Sequence, residues 1–161
     1  MTVYVWDILV DDCSSLTGWT NGDKGDAEST QVTYDGRSCF KLDSGPNSAA
    51  NNDYASIIRN IGALGERTIL EIYLYHDLIG LFSSIDGFYV DLSNGTTRLN
   101  ISFTSSGIYV HDGESSKEVG TDLVQQDTNQ LWIFDINWTA KTVNIYLEGV
   151  LQASGVDCSY D

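Results

Sequence analysis

Proline is almost missing from this sequence: Pro46 is the single one in 161 residues. No linker, internal repeat or low-complexity block appears either. Basic residues are also scarce, eight Lys and Arg against 23 Asp and Glu, for a formal net charge of −15. A chain so charged repels phosphate backbones and anionic headgroups, which argues against nucleic acid as a partner and against an anionic membrane surface. No apolar run approaches the roughly 18 residues that a membrane-spanning helix needs, so membrane insertion is not expected. The opening MTVYVWDILVDDC lacks the basic and long apolar regions of a secretion signal, because Asp7 interrupts its apolar run. Either a leading segment is missing from this sequence or the protein leaves its cell by another route; lysis is one, and a virion surface or an extracellular location fits it. Histidine is limited to His76 and His111, and cysteine to Cys13, Cys39 and Cys158. Their spacing matches no metal motif. Neither a glycine-rich phosphate loop nor a nucleophile elbow occurs.

What the chain does have is strand pattern. A hydrophobic share of 42% is ordinary for a globular protein, and the length suits one domain over 1–161. Short alternating runs are cut by Gly, Asn, Asp and Ser: VWDILVDDC, SCFKLDS, YASIIRNI, TILEIYLYHD, GLFSS, GFYVDLS, RLNISFT, GIYVHD, LWIFDINWT and TVNIYLEGVLQASG. Runs rich in Ile, Val, Tyr and Phe, punctuated this often, predict an all-β, antiparallel sandwich or barrel. Asn94-Gly95 and Asp112-Gly113 suit turn positions with positive φ. GTDLVQQDTNQL has room for one short helical turn and no more.

Alternation also sorts the faces, since successive strand side chains point to opposite sides. Phe88, Val90 and Leu92, then Leu99, Ile101 and Phe103, then Val143, Ile145 and Leu147 are core candidates. Ile108 and Val110 go inward with them, and Trp132 and Trp138 share the parity of Phe134 and Ile136. In ILEIYLYHDL the other parity carries Glu71, Tyr73, Tyr75 and Asp77. Tyr89, Tyr109 and Tyr146 stand in the same way on the non-core parity of their strands. A tyrosine ring offers a sugar a flat apolar face and a polar hydroxyl, and a neighbouring carboxylate can bind sugar hydroxyls. Glu71, Tyr73, Tyr75, Tyr89, Tyr109 and Tyr146 are therefore the candidate ligand-binding residues. Ordinary cross-strand packing is the competing explanation for the same tyrosines.

LVDDCSSLTGWT resembles the opening of many carbohydrate-binding sandwich modules. LWIFDINWTAKTVNIYLEGVLQASG resembles the late hairpin of the concanavalin A-like lectin and glucanase superfamily, to which laminin-G-like domains belong. There a strand near a tryptophan leads through a turn into Tyr-x-Asp/Asn-Gly-x-Leu, and here Glu148 takes the Asp or Asn place. YDGRSCFKLDSG resembles an early strand of the same family. The resemblance implies a two-sheet jelly roll with one concave face, and in some members a structural calcium between the first and last strands.

Catalysis finds little footing. Glycoside hydrolysis needs two carboxyl groups about 5 to 9.5 Å apart. Glu71 and Asp77 lie roughly 20 Å apart along a strand. The glucanases of the resembled superfamily carry approximately Glu-x-Asp-x-Glu, and this chain has Tyr73 and Tyr75 in the later acid positions. A partner acid on a neighbouring strand, Asp91 or Asp135, is the remaining catalytic arrangement. The Gln-x-His motif of jelly-roll alginate lyases does not occur. His76 shares the parity of Ile72 and Leu74, and His111 is expected to be solvated beside a turn. For a hard cation, GDKGD at 22–26, NND at 51–53, and Asp11, Asp12 and Asp157 offer oxygen ligands, although no EF-hand spacing is present. Cys13 and Cys158 suit a bridge if the chain ends meet; three packed thiols are the alternative.

These readings lead to two expectations of different class. One is a non-catalytic carbohydrate-binding or adhesion module that requires no cofactor. The other is a structural virion protein, a capsid decoration or tail-fibre domain, that holds neighbouring subunits in a homo-oligomer.

Overall fold

The computed structural model describes residues 13–34, 36–43, 57–58, 65–75, 88–93, 98–104, 107–112, 115–125 and 127–158, with the side chains of 57, 88–93 and 98 excepted. The chain packs as two compact units, Met1–Gly62 and Ala63–Asp161.

In the first unit, β1 (Thr20–Asn21) pairs antiparallel with β4 (Ile57–Ile58), and β2 (Glu28–Tyr34) with β3 (Arg37–Asp43). Gly36, at φ 73°, lets the chain reverse between Tyr34 and Arg37. Asp23 organises the approach to β2: its carboxylate accepts the backbone N–H and the hydroxyl of Ser29 at 2.6 and 2.5 Å. Trp19 meets Phe40 edge to face, with ring centroids 5.3 Å apart. The segment ESTQVTY of β2 falls outside the predicted runs, because Val32 and Tyr34 are its only apolar residues.

The described residues of the second unit form eight strands: β5 (Arg67–Leu74), β6 (Phe88–Ser93), β7 (Arg98–Thr104), β8 (Gly107–His111), β9 (Ser116–Gly120), β10 (Gln130–Asn137), β11 (Thr142–Leu147) and β12 (Val150–Asp157). They form two antiparallel four-stranded sheets, ordered β12-β11-β10-β5 and β6-β7-β8-β9. The two sheets share one core. Leu99, Ile101, Phe103, Ile108 and Val110 come from the second, and Trp132, Phe134, Ile136, Val143 and Ile145 from the first, each 3% exposed or less. Phe103 packs edge-on against Trp132 at 5.4 Å and against Phe134 at 6.2 Å. The all-β expectation holds, and so does the inward parity of these strands. Alternation is the cause: a half-buried strand removes every second side chain from water, at about 25 cal/mol per Å² of apolar surface. Phe88, Val90 and Leu92 lie outside the residues whose side chains are described.

Three expectations need correction. TVNIYLEGVLQASG is not one strand but two, with Glu148 and Gly149 forming a two-residue hairpin turn at φ 50° and 76° between paired Leu147 and Val150. Both φ values are positive, as a type I′ turn requires. Glu148 takes the less favourable of the two places because its Oε1 accepts the Leu131 backbone N–H at 2.7 Å. SKEVG falls outside the predicted runs, yet it forms strand β9. GTDLVQQDTNQL forms no helical turn among its described residues. No helix of the described residues is long and apolar enough to cross a membrane.

Candidate functional site

Register decides which outward residues meet. β10 pairs with both β5 and β11, placing Glu71, Ile133, Tyr146 and Leu151 in one row across the β12-β11-β10-β5 sheet. Tyr73 stands beside Leu131 in the next row, and Ile69 beside Asp135 and Asn144 in the row on the other side. The alternate residues Leu70, Ile72 and Leu74 pack on the core, so this set forms the sheet's outer face. Tyr73 is 67% exposed, Leu151 50% and Ile69 44%; Glu71 is also exposed, while Ile133, Leu131 and Tyr146 are half-buried. Three of the six candidates, Glu71, Tyr73 and Tyr146, therefore share one surface. From the strand spacing, the Tyr73 and Tyr146 positions are roughly 12 Å apart.

The other candidates are placed differently. Tyr75 follows the last residue of β5, half-buried, and its hydroxyl donates to the Asp127 carboxylate at 3.1 Å. Tyr109 lies in β8, on the other sheet, in register with Ser102 and Glu118, and Tyr89 occupies the position of β6 in register with Ser102. Sheet membership thus separates Tyr89 and Tyr109 from Glu71, Tyr73 and Tyr146. Asp77 and His76 lie outside the described residues.

A polar network borders the face. Arg67 donates through Nε and Nη2 to the two carboxylate oxygens of Asp135, at 2.6 and 2.5 Å, and Asn144 Nδ2 lies 3.4 Å from the same carboxylate. The Asn144 side-chain oxygen accepts the Ser154 hydroxyl and the Gly155 N–H, where β12 is irregular. The hydrogen bonds from Arg67 hold Asp135 below the usual carboxylate range, against the opposing effect of burial. Asp135 is outward by parity yet only 8% exposed. Its parity in LWIFDINWT was readable; its partner, 68 residues away, was not.

Asp135 is also the acid nearest to Glu71 by register: the two stand diagonally on adjacent strands, about 7–8 Å apart by the usual spacing. Asp91 falls among the residues whose side chains are not described.

His111 is not solvated as expected. It is half-buried, with Nε2 2.9 Å from the Ser102 hydroxyl and Nδ1 2.7 Å from that of Ser116. Pairing across β7, β8 and β9 produces this arrangement, which a single strand's pattern does not display.

Among the described residues no group of three His, Cys, Asp or Glu side chains is placed to hold a metal ion. Asp23 of the GDKGD loop is engaged by Ser29 and by the Asn21 side chain at 2.8 Å, and Asp157 pairs with Lys117 at 3.3 Å. Asp11, Asp12 and residues 51–53 lie outside the described residues. All three cysteines are thiols; Cys158 is fully buried, and burial pushes its thiol up to about 11.

No protein-family model matches the chain, and no characterised protein matches it.

Proposed function

We propose that the chain is a non-catalytic carbohydrate-binding or adhesion module with a lectin-like jelly roll, and that it binds through the outer face of the β12-β11-β10-β5 sheet. The observation that carries this reading is the row Glu71, Ile133, Tyr146, Leu151 with Tyr73 beside it, exposed for two thirds of its surface. An exposed tyrosine ring supplies the flat apolar contact that a pyranose needs, and Glu71 supplies a hydrogen-bond acceptor at its rim. Scattered exposed apolar residues are normal on a protein surface, but a contiguous set suggests a binding site.

The diagonal pair Glu71 and Asp135 has the spacing of an inverting glycosidase, but its chemistry points elsewhere. A general acid needs a raised pKa. Asp135 is instead held ionised, which unfits it as the acid, and both its oxygens accept from Arg67, which leaves neither placed to activate a water as the base. The reading therefore needs no cofactor, and an extracellular or virion-surface location suits it. The test is a glycan array, run with and without calcium, followed by titration of any hit against Tyr73→Ala and Tyr146→Ala. Saturable binding that falls about ten-fold in both variants is expected, taking the about 1–3 kcal/mol of a nucleic-acid base stacked on an aromatic as the guide to a sugar ring. Binding unaffected by either variant would move the site off this face. Turnover that disappears in Glu71→Gln would instead make the protein an enzyme.

A second reading has its own observation. Ile69 and Leu151 are aliphatic, exposed and on the same face, which suits contact with a neighbouring subunit of a virion assembly. Sedimentation of the purified chain separates the two, because a decoration or fibre domain sediments as an oligomer.

A further inference from the structure

Charge on the proposed face narrows its ligand. Arg67 is the only Lys or Arg within β5, β10, β11 and β12. Its guanidinium is already engaged by both oxygens of Asp135. Glu71, exposed two residues from Tyr73, pairs with no described residue. Glu148, at the hairpin turn closing β11 and β12, adds a second carboxylate, and the whole chain carries −15. A glycan bearing carboxylates or sulfates thus meets no cation other than the engaged Arg67 on the described strands of this sheet and is repelled by the chain's negative field. A protonated amine finds, beside an aromatic ring, a carboxylate that no described residue engages. Ammonium also stacks favourably on tyrosine.

Resting on the glycan-binding reading above, we infer that the face selects amine-bearing polysaccharides, those with deacetylated amino sugars, over neutral and anionic ones. The distance from Tyr73 to Tyr146, roughly 12 Å, suits a short run of pyranoses lying diagonally over Ile133 with Glu71 at its edge.

The probes are chitosan hexamer, its fully N-acetylated counterpart and an oligogalacturonate of equal length, titrated calorimetrically at about pH 6 in low and high NaCl. The amine-bearing hexamer is expected to bind about ten-fold tighter than the acetylated one, as a charge-assisted hydrogen bond warrants. Added salt should narrow that margin. Glu71→Gln should remove the preference, whereas Glu28→Gln, an exposed β2 residue with the same charge change, should leave it intact. Equal losses in both variants would assign the preference to overall charge and overturn the inference. Equal affinity for the amine-bearing and acetylated hexamers, or stronger binding of the oligogalacturonate, would overturn it while leaving the glycan-binding reading in place. Failure of all three probes and of the glycan array, with tryptophan fluorescence showing a folded protein, would defeat both.

Discussion

Replacing Arg67 by methionine should destabilise the second unit more than replacing its partner Asp135 by asparagine, and the size follows from geometry. Asp135 has a side chain only 9% exposed, whereas that of Arg67 is 58% exposed. Without the guanidinium, the carboxylate retains Asn144 at 3.4 Å and little else. Losing one member of a fully buried pair costs about 3–5 kcal/mol, and exposed pairs are worth about 0.2–1 kcal/mol. Because Arg67 is mostly hydrated in the folded state, the expected cost lies between, at about 2 kcal/mol. That corresponds to a melting shift of roughly 8–16 °C for a unit of this size. Asp135→Asn should cost less, about 1 kcal/mol, because the exposed guanidinium it leaves behind returns to water. The double variant Arg67→Met/Asp135→Leu should recover much of the loss, since no charge is then left without a partner. Urea and thermal unfolding followed by the fluorescence of buried Trp132 and Trp138 measure all three. A shift under about 2 °C for Arg67→Met, or a larger loss in Asp135→Asn, would refute the reasoning.

The same pair sets a pH dependence. The folded Asp135 pKa is depressed, so its contribution is present above the unfolded value and is lost as pH falls through the folded one; Arg67→Met should therefore show a shallower stability loss below about pH 4. Gly107→Ala should destabilise by about 1–3 kcal/mol, because the added Cβ would lie 2.5 Å from the Gly120 carbonyl oxygen of the adjacent strand. An unchanged urea midpoint would show that β8 and β9 separate easily. Cys158, buried and with its thiol pushed up to about 11, should react with a disulfide reagent at about pH 8 only after unfolding, and native-state labelling at that position would contradict its burial.

Much of the fold of the second unit was legible in one dimension. RLNISFT, GIYVH and LWIFDIN alternate cleanly, and their inward residues are those that the structure buries. Alternation with period two is a local property, so each strand carries it alone. The strand ESTQVTY was not legible, because its pairing with β3 rests on backbone hydrogen bonds and on Asp23 rather than on an apolar face. Glu148-Gly149 was missed as a turn for a related reason: what stabilises Glu148 at positive φ is a hydrogen bond to Leu131, on another strand.

The sequence by itself determined the all-β class, the acidic surface and the outward parity of Glu71, Tyr73, Tyr109 and Tyr146. Only tertiary structure decided which of these share a surface. The register of β10 with β5 and β11 joined Glu71, Tyr73 and Tyr146, and sheet membership put Tyr89 and Tyr109 elsewhere. The physical reason is that parity is set within a strand, by backbone geometry, whereas neighbours across a sheet are set by hydrogen bonding between segments far apart in the chain. Asp135 shows the same division: its residue type and parity are local, and its lowered pKa comes from Arg67, on the adjacent strand β5 yet 68 residues away in sequence.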